Sequence, residues 1–309
     1  MKMIFMGSSD YGMPVLKNLI AENFNIVSVY TKSDPITKIK LKQSNPIESL
    51  AISNQIPVHL PTKIDEKEID LLTKIAPDII IVAAYGLYLP PKIIDLPKFG
   101  CLNIHPSLLP KYRGPSPVIS TILSDEKATG VSIIKINNKL DAGPMLKSQM
   151  VNRICNETAY DLTKRLFSIG SELLIDIIPR WIKNEISPIS QKESDATFTK
   201  KITKSDGEIK WNLSSKEIYL KTLAYNPWPK TYSWWNGKRI ILTKMELTST
   251  KENNNVAPGT IIRTSSNKIA ISTATTDLLL STIQLEGKRE ISVQEFVLGH
   301  PTFINSKLK

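Results

Sequence analysis

The segment Gly100-Cys-Leu-Asn-Ile-His-Pro-Ser-Leu-Leu-Pro-Lys-Tyr-Arg-Gly114 carries an amide and an imidazole two residues apart, Asn103 and His105. An amide donates a hydrogen bond without carrying charge, and an imidazole donates, accepts or holds a proton near neutrality. Such a pair suits chemistry in which charge builds on a substrate atom and a proton has to move. In a strand, residues i and i+2 face the same side, so Asn103 and His105 share one surface while Leu102 and Ile104 take the other. Pro106 ends the strand and leaves the pair at its C-terminal end, where ligands bind in open α/β sheets. An isolated Asn-x-His is more often a structural histidine with satisfied bonds. The Pro- and Gly-punctuated loop beside it shifts the balance towards function.

A carboxylate comes from the segment Thr129 to Met145. Asp141 follows an apolar run and precedes Gly143 and Pro144, so a defined turn holds it. The plainer alternative is a turn-forming Asp bonded to its own backbone. Gly7-Ser-Ser-Asp-Tyr-Gly12 lacks the spacing of a phosphate-binding loop, so nucleotide binding is not expected there. His59, in Pro57-Val-His-Leu-Pro61, reads as structural.

The elements that must position these groups alternate between strand and helix signals over the first two-thirds of the chain, the pattern of a parallel sheet covered by helices. Strands are expected at 3–6, 25–30, 57–60, 78–83, 101–105, 131–136 and 145–151, and helices at 13–21, 46–53 and 65–75. A long helix over about 157–183 has Leu162, Leu166, Ile169, Leu173 and Ile177 at helical spacing and closes this domain. Periodicity then fades into Ser, Thr, Pro and Lys, which reads as a basic linker. After a short helix at 215–223, alternating segments at 239–247, 259–264, 268–272 and 278–285 suggest a small β-barrel of the OB type. The expected organisation is a catalytic domain at 1–189, a linker at 190–205 and an OB-like domain at 206–309.

With 309 residues, 41% of them apolar and 22% charged, two globular domains are expected, and a disordered chain, a collagen-like repeat and a disulfide scaffold are excluded. No apolar run approaches the roughly 18 residues of a membrane span. The N-terminal segment reads as a core strand without a signal peptide's apolar region. Cys101 and Cys155 have no His or Cys at metal-ligand spacing; both read as buried free thiols in a reducing cytoplasm, and no metal is expected. A net charge of +11 invites a polyanionic partner, although a compositional bias towards Lys, Ile, Asn and Ser offers a second explanation.

Asn103, His105, Gly114, Pro115 and the turn Leu140-Asp141-x-Gly143 together resemble the folate-dependent formyltransferases. Asn226-Pro-Trp-Pro229, Gln284-Leu-Glu-Gly-Lys288, Gln294-Glu-Phe296 and Gly299-His300 extend the resemblance, over essentially the whole chain, to the methionyl-tRNA formyltransferase family. It implies a Rossmann-like domain with a mostly parallel sheet and an OB-like barrel. It also implies transfer of a formyl group from 10-formyltetrahydrofolate to the α-amine of methionine on initiator tRNA. An amine attacking a formamide builds negative charge on oxygen and positive charge on nitrogen, so donors and a proton acceptor are needed. By resemblance, Asn103 and His105 donate to the developing oxyanion, and Asp141 orients the imidazole and takes the amine's proton through water. The folate would lie against Ser107, Leu108, Leu109 and Pro110 and against Tyr85, Gly86 and Leu87, residues that any α/β core could also use.

In this family the loop at 31–46 touches the acceptor stem with Arg and Gly. Here it offers Lys38, Lys40 and Lys42, which supply point charges without bidentate contacts. Further tRNA contacts are expected at Lys192, Lys200, Lys201, Lys204, Lys210 and Arg239, since residues 206–309 alone hold 14 basic against 9 acidic side chains. A monomer is expected. Formyltransferases of the purine pathway end near the sheet domain. Those acting on nucleotide-linked amino sugars also carry a barrel, but their substrate calls for no basic linker. A non-catalytic nucleic-acid-binding barrel would leave Asn103, His105 and Asp141 without a purpose.

Overall fold

The structure is a computed structural model that describes residues 1–32, 45–252 and 255–309. Lys38, Lys40 and Lys42 lie outside the described residues. The chain forms two compact units: Met1–Pro117 with Lys127–Arg153 and Leu162–Lys200, and Val118–Glu126 with Ile154–Asp161 and Lys201–Lys309.

The first unit is built on a seven-stranded sheet. Its strands are β1 (Met3–Gly7), β2 (Ile26–Tyr30), β3 (Val58–His59), β4 (Ile79–Ala83), β5 (Cys101–His105), β6 (Ala128–Lys135) and β7 (Met145–Asn152), in the order β3-β2-β1-β4-β5-β6-β7. The first five run parallel, as the alternating sequence signals predict, and β6 and β7 run antiparallel at one edge. β1 and β4 are buried along their whole length, which accounts for their unbroken apolar runs.

Alternation divides the apolar side chains between two faces. Phe5, Ile81, Leu102 and Ile104 pack with Leu16 and Leu19 of α1 (Met13–Ala21), Ile47 of α2 (Pro46–Ser53), and Phe167, Leu174 and Ile178. On the other face Ile4, Met6, Ile80, Val82 and Cys101 meet Leu72 of α3 (Glu66–Ile75) and Ile93 of α4 (Pro91–Ile94). Asn103 and His105 fall on this second face by the i, i+2 rule. α3 starts where Asp65 caps it, its side chain accepting the Glu68 N–H at 3.3 Å.

The long helix α6 (Ala159–Ile182) matches its predicted range within two residues. A helix α5 (Pro117–Leu123) had no periodic signal, because seven residues make barely two turns. His59 stacks on Tyr30 with ring centroids 4.6 Å apart, in keeping with a structural role.

The second unit carries α7 (Ser215–Ala224), β8 (Tyr232–Trp235), β9 (Lys238–Leu247), β10 (Ile261–Arg263), β11 (Ile269–Ile271), β12 (Leu278–Leu285), β13 (Glu290–Ser292) and α8 (Val293–Gly299). All strand pairs are antiparallel, in the order β10-β11-β12-β9-β8, with β13 also on β12. Residues near the C-terminus close the sheet. Ser306 accepts from Ile261 at the β10 edge at 2.9 Å, and Lys309 exchanges two bonds with Trp234 at the β8 edge. β8 lies in what reads as a Pro/Trp-rich loop; Tyr232 and Trp235 turn inward, and Trp235 meets Phe296 and Phe303 edge to face.

Two expectations change. The last of the divisions between the units falls between Lys200 and Lys201, inside the segment expected to be a linker, and Gln191, Glu193, Thr197 and Thr199 bond to the loop after β5. Cys155 is exposed, because it sits in a turn outside the strand pattern, whereas Cys101 is buried in β5. Burial pushes the Cys101 thiol up to about 12, with Asp95 adding to the shift. A thiol-alkylating reagent at neutral pH is therefore expected to modify one cysteine in the folded protein, Cys155, and both after denaturation. Rapid modification of Cys101 in the native state, read by peptide mass, would contradict this packing.

Candidate active site

β5 lies between β4, where Val82 pairs with Asn103, and β6, where Ile134 pairs with Asn103 and Ser132 with His105. Both neighbours hold the strand rigidly under its polar pair. His105 is only 4% exposed. Its Nε2 lies 3.0 Å from the Tyr112 carbonyl, and because a carbonyl only accepts, Nε2 carries the hydrogen. The other ring nitrogen, Nδ1, faces Asp141 Oδ2 at 3.8 Å, longer than a hydrogen bond. The Asn103 amide, half-buried on the same face, has no hydrogen-bond partner among the described residues.

Asp141 has a φ of 47°, in the left-handed region that Asp tolerates better than most residues. Its Oδ2 accepts the Gly114 N–H at 2.8 Å. Its carboxylate thus bonds to a loop 27 residues away in sequence, where the turn-residue alternative expects a bond to its own backbone. Gly143 permits the turn, since a Cβ there would stand 1.8 Å from the Lys135 carbonyl. Gly114 has a φ of 108°, and a Cβ on it would press on Thr199.

The loop after β5 is fixed from inside. Ser107 is fully buried, and its hydroxyl donates to the Lys111 carbonyl at 2.7 Å. Ser132 on β6 donates to the Ser107 carbonyl at 2.8 Å and accepts the Leu109 N–H at 3.1 Å. Leu109 is buried as well, so it and Ser107 shape the loop, while Leu108 and Pro110 are half-buried at its surface. After β4, Tyr85 and the half-buried Leu87 join Val82, Cys101 and Ile136 in one apolar cluster. Gly86, with a φ of 76°, has open space where a side chain would begin. The Tyr85 and Tyr30 hydroxyls are buried without hydrogen-bond partners among the described residues, and burial raises both phenols, with Glu68 adding to it.

Three residues of this centre gave no signal in the sequence. Arg113 is 2% exposed and is the largest fully buried side chain. Its two terminal nitrogens donate to Glu193 at 3.0 Å each, and its Nε donates to Gln191 at 2.9 Å. Arg113 holds the Glu193 carboxyl below the usual glutamate range, chiefly through these hydrogen bonds. The stabilisation from that depressed value is present above the usual range and is lost as pH falls through the lowered value. Only the side-chain sequence order Tyr-Arg-Gly marks the place, and spacing alone does not say what an arginine there meets.

The lysines expected to touch tRNA are spread over the surface. Lys192 is exposed and pairs with Asp195 at 3.6 Å. Lys200, Lys201, Lys204 and Lys210 are exposed. Arg239 is half-buried, with its guanidinium over the Tyr232 ring at 5.4 Å. Among the described residues no group of His, Cys, Asp and Glu could hold a metal ion, and no helix is long and apolar enough to cross a membrane.

Comparison with known proteins agrees with this arrangement. Residues 1–178 match the formyl transferase family, and residues 201–301 match the formyl transferase C-terminal domain. A methionyl-tRNA formyltransferase from Halalkalibacterium halodurans is 37% identical over 302 residues, covering 97% of this chain and 95% of its own. An N-formyltransferase from Helicobacter canadensis, solved in complex with folinic acid and dTDP-3-aminofucose, superposes with a TM-score of 0.67 at 21% identity, covering 91% of this chain and 98% of that one. HypX from Aquifex aeolicus, solved with tetrahydrofolic acid, gives a TM-score of 0.66 at 14% identity over 96% of this chain, which spans about half of the HypX chain (46%). These two structures share the fold, and the closer sequence likeness decides between them and the tRNA enzymes: the chain belongs to the methionyl-tRNA formyltransferase family.

Proposed function

We propose that this chain moves a formyl group from 10-formyltetrahydrofolate to the α-amine of methionyl initiator tRNA, with Asn103, His105 and Asp141 as its catalytic residues. The observation that carries the reading is the free Asn103 amide on the same face as His105, with Asp141 3.8 Å from the imidazole. The neutral amine attacks the formyl carbon, and the carbonyl oxygen takes the charge of the tetrahedral adduct. Asn103 donates to that oxygen. His105 donates beside it through its Nε2–H once the substrate oxygen replaces the Tyr112 carbonyl as acceptor. Asp141 draws the proton from the new ammonium through water, the oxyanion collapses, the C–N10 bond breaks, and the same proton passes back through water to N10 of the folate as it leaves.

The folate lies, on this reading, over Gly86, Leu87, Leu108 and Pro110, with Tyr85, Ser107 and Leu109 supporting that slot from beneath. Residues 1–189 form the catalytic part, and 206–309 the tRNA-binding part. Lys192, Lys200, Lys201, Lys204, Lys210 and Arg239 meet tRNA phosphates, and Lys38, Lys40 and Lys42 the acceptor end. A monomer working in the cytoplasm fits this role.

The direct test gives the purified protein 10-formyltetrahydrofolate with either methionylated initiator tRNA or a dTDP-linked amino sugar. Formylmethionyl-tRNA is the expected product, and formylation of the sugar alone would overturn the reading. Asn103→Ala and His105→Ala are each expected to lower kcat about 10²-fold or more with folate binding little changed, because donors aimed at an oxyanion act mainly in the transition state. Asp141→Asn keeps the size and loses the charge, so turnover should fall while stability holds to within about 1 kcal/mol. Unfolding with normal activity per folded molecule would make Asp141 a turn residue only. Neutralising Lys200, Lys201, Lys204 and Lys210 should weaken tRNA binding and reduce its salt slope by roughly one unit per lost phosphate contact. An unchanged slope would remove these lysines from the interface.

A further inference from the structure

Residues 191–199 run beside the loop after β5 and hydrogen-bond to it at four positions, Gln191, Glu193, Thr197 and Thr199. Thr197 accepts the Arg113 N–H at 2.9 Å, and Thr199 donates its own N–H to the Arg113 carbonyl at 2.8 Å, a short parallel bridge. The Thr197 hydroxyl takes the Tyr112 N–H at 2.8 Å, and the Thr199 hydroxyl takes the Ser116 N–H at 3.1 Å. Gln191 reaches the other way, and its amide nitrogen donates to the carbonyls of Asp141 at 2.8 Å and Gly143 at 2.7 Å. Its amide oxygen meanwhile accepts from Arg113, which Glu193 grips from the other side.

The two residues flanking Arg113 are the ones that touch the catalytic groups. The Tyr112 carbonyl holds His105, and the Gly114 N–H holds Asp141. We infer that Gln191 and Glu193 are positioning residues for formyl transfer, which act through Arg113 to fix the loop that orients His105 and Asp141 and, through Gln191, the Asp141 turn itself. The inference rests on the catalytic reading of those two residues. Gln191 links both supports, since one side chain bonds the loop's arginine and the turn's carbonyls. Loss of that link lets the loop and the turn move separately, and a displacement of about 1 Å at a reacting group can cost about 10² in rate.

Gln191→Glu separates positioning from anchoring. The carboxylate keeps the size and the acceptor for Arg113, but it removes both donors and sets oxygen against the carbonyls of Asp141 and Gly143. In the full-length protein it should lower kcat about tenfold to a hundredfold, with KM for the charged tRNA and thermal stability little changed. In an Asp141→Asn background the same substitution should cost several-fold less than in the wild type, because groups that act as a unit are not additive and only the His105 part of the alignment is left to lose. Glu193→Gln, on the exposed side of the strap, should show a smaller loss with the same dependence on Asp141. Wild-type kcat in folded Gln191→Glu, or equal losses in both backgrounds, would overturn the inference while leaving the catalytic reading intact. Normal turnover of Asp141→Asn alone would overturn both.

Discussion

The geometry of the site depends on the bond from the Gly114 N–H to the Asp141 carboxylate, 2.8 Å long. It joins the loop after β5 directly to the turn between β6 and β7, two segments that Gln191 also bridges through Arg113. A hydrogen bond to an ionised acceptor is roughly twice as strong as a neutral one and more sharply directed. With one carboxylate oxygen so held, its approach to His105 is limited to a narrow range of directions. Both ends of the bond sit in backbone conformations that ordinary residues avoid, with φ of 108° at Gly114 and 47° at Asp141. Such conformations persist where the surroundings over-determine them. Here the surroundings are the Lys135 carbonyl pressed against Gly143 and the Thr199 side chain beside Gly114.

The reversal of strand direction at β6 makes that joint reachable. β5 is the last parallel strand, and β6 returns along it so that Lys135 ends opposite Leu102, near the start of β5. Ile136 still bonds the Cys101 carbonyl at 2.8 Å, yet Asp141, five residues on, faces His105. Those two anchor points are four positions apart on β5, about 13 Å at the rise of a strand. The connecting turn must therefore fold back along the polar face, with Asn103 between its ends. That position leaves the Asn103 amide without a hydrogen-bond partner among the described residues. A parallel β6 would have needed a helical crossover and would have carried the chain to the far side of the sheet.

The legible part of this arrangement is the part that obeys a period or a punctuation. The i, i+2 rule placed Asn103 and His105 on one face, Pro106 marked the end of the strand, and the Gly143-Pro144 turn singled out Asp141. Strand and helix positions of the first unit followed from the same alternation. Arg113, Gln191 and Glu193 were not legible, because their partners lie 48 to 80 residues away and no local pattern encodes such pairings. The segment at 190–205 misled for a physical reason. Its Ser, Thr, Lys and Gln residues have the composition of a solvated tether, yet the same hydroxyls and amides can saturate the backbone of a neighbouring loop. Composition records capacity for hydrogen bonding and not where the partners are. β8 was hidden in the same way, by the prolines of the Asn226 to Pro229 run just before it.

A polar strap is a demanding way to hold a loop, and its cost indicates what it achieves. A buried guanidinium gains little net stability over a well-packed apolar side chain, but removing one of its partners leaves a charge uncompensated and is strongly destabilising. Arg113 has every nitrogen satisfied by Gln191 and Glu193, so the network is complete and is sensitive to the loss of any member. An apolar contact would tolerate sliding of the loop by a fraction of an ångström. Directional bonds at 2.7–2.9 Å, from Arg113 to Gln191 and from Gln191 to the Asp141 turn, do not. Register between the loop after β5 and the Asp141 turn is therefore what the strap supplies, beside the His105 imidazole and the Asp141 carboxylate. Composition alone reads residues 191–199 as a tether, whereas their bonds to Arg113 and to the Asp141 turn make them part of the framework of the first unit.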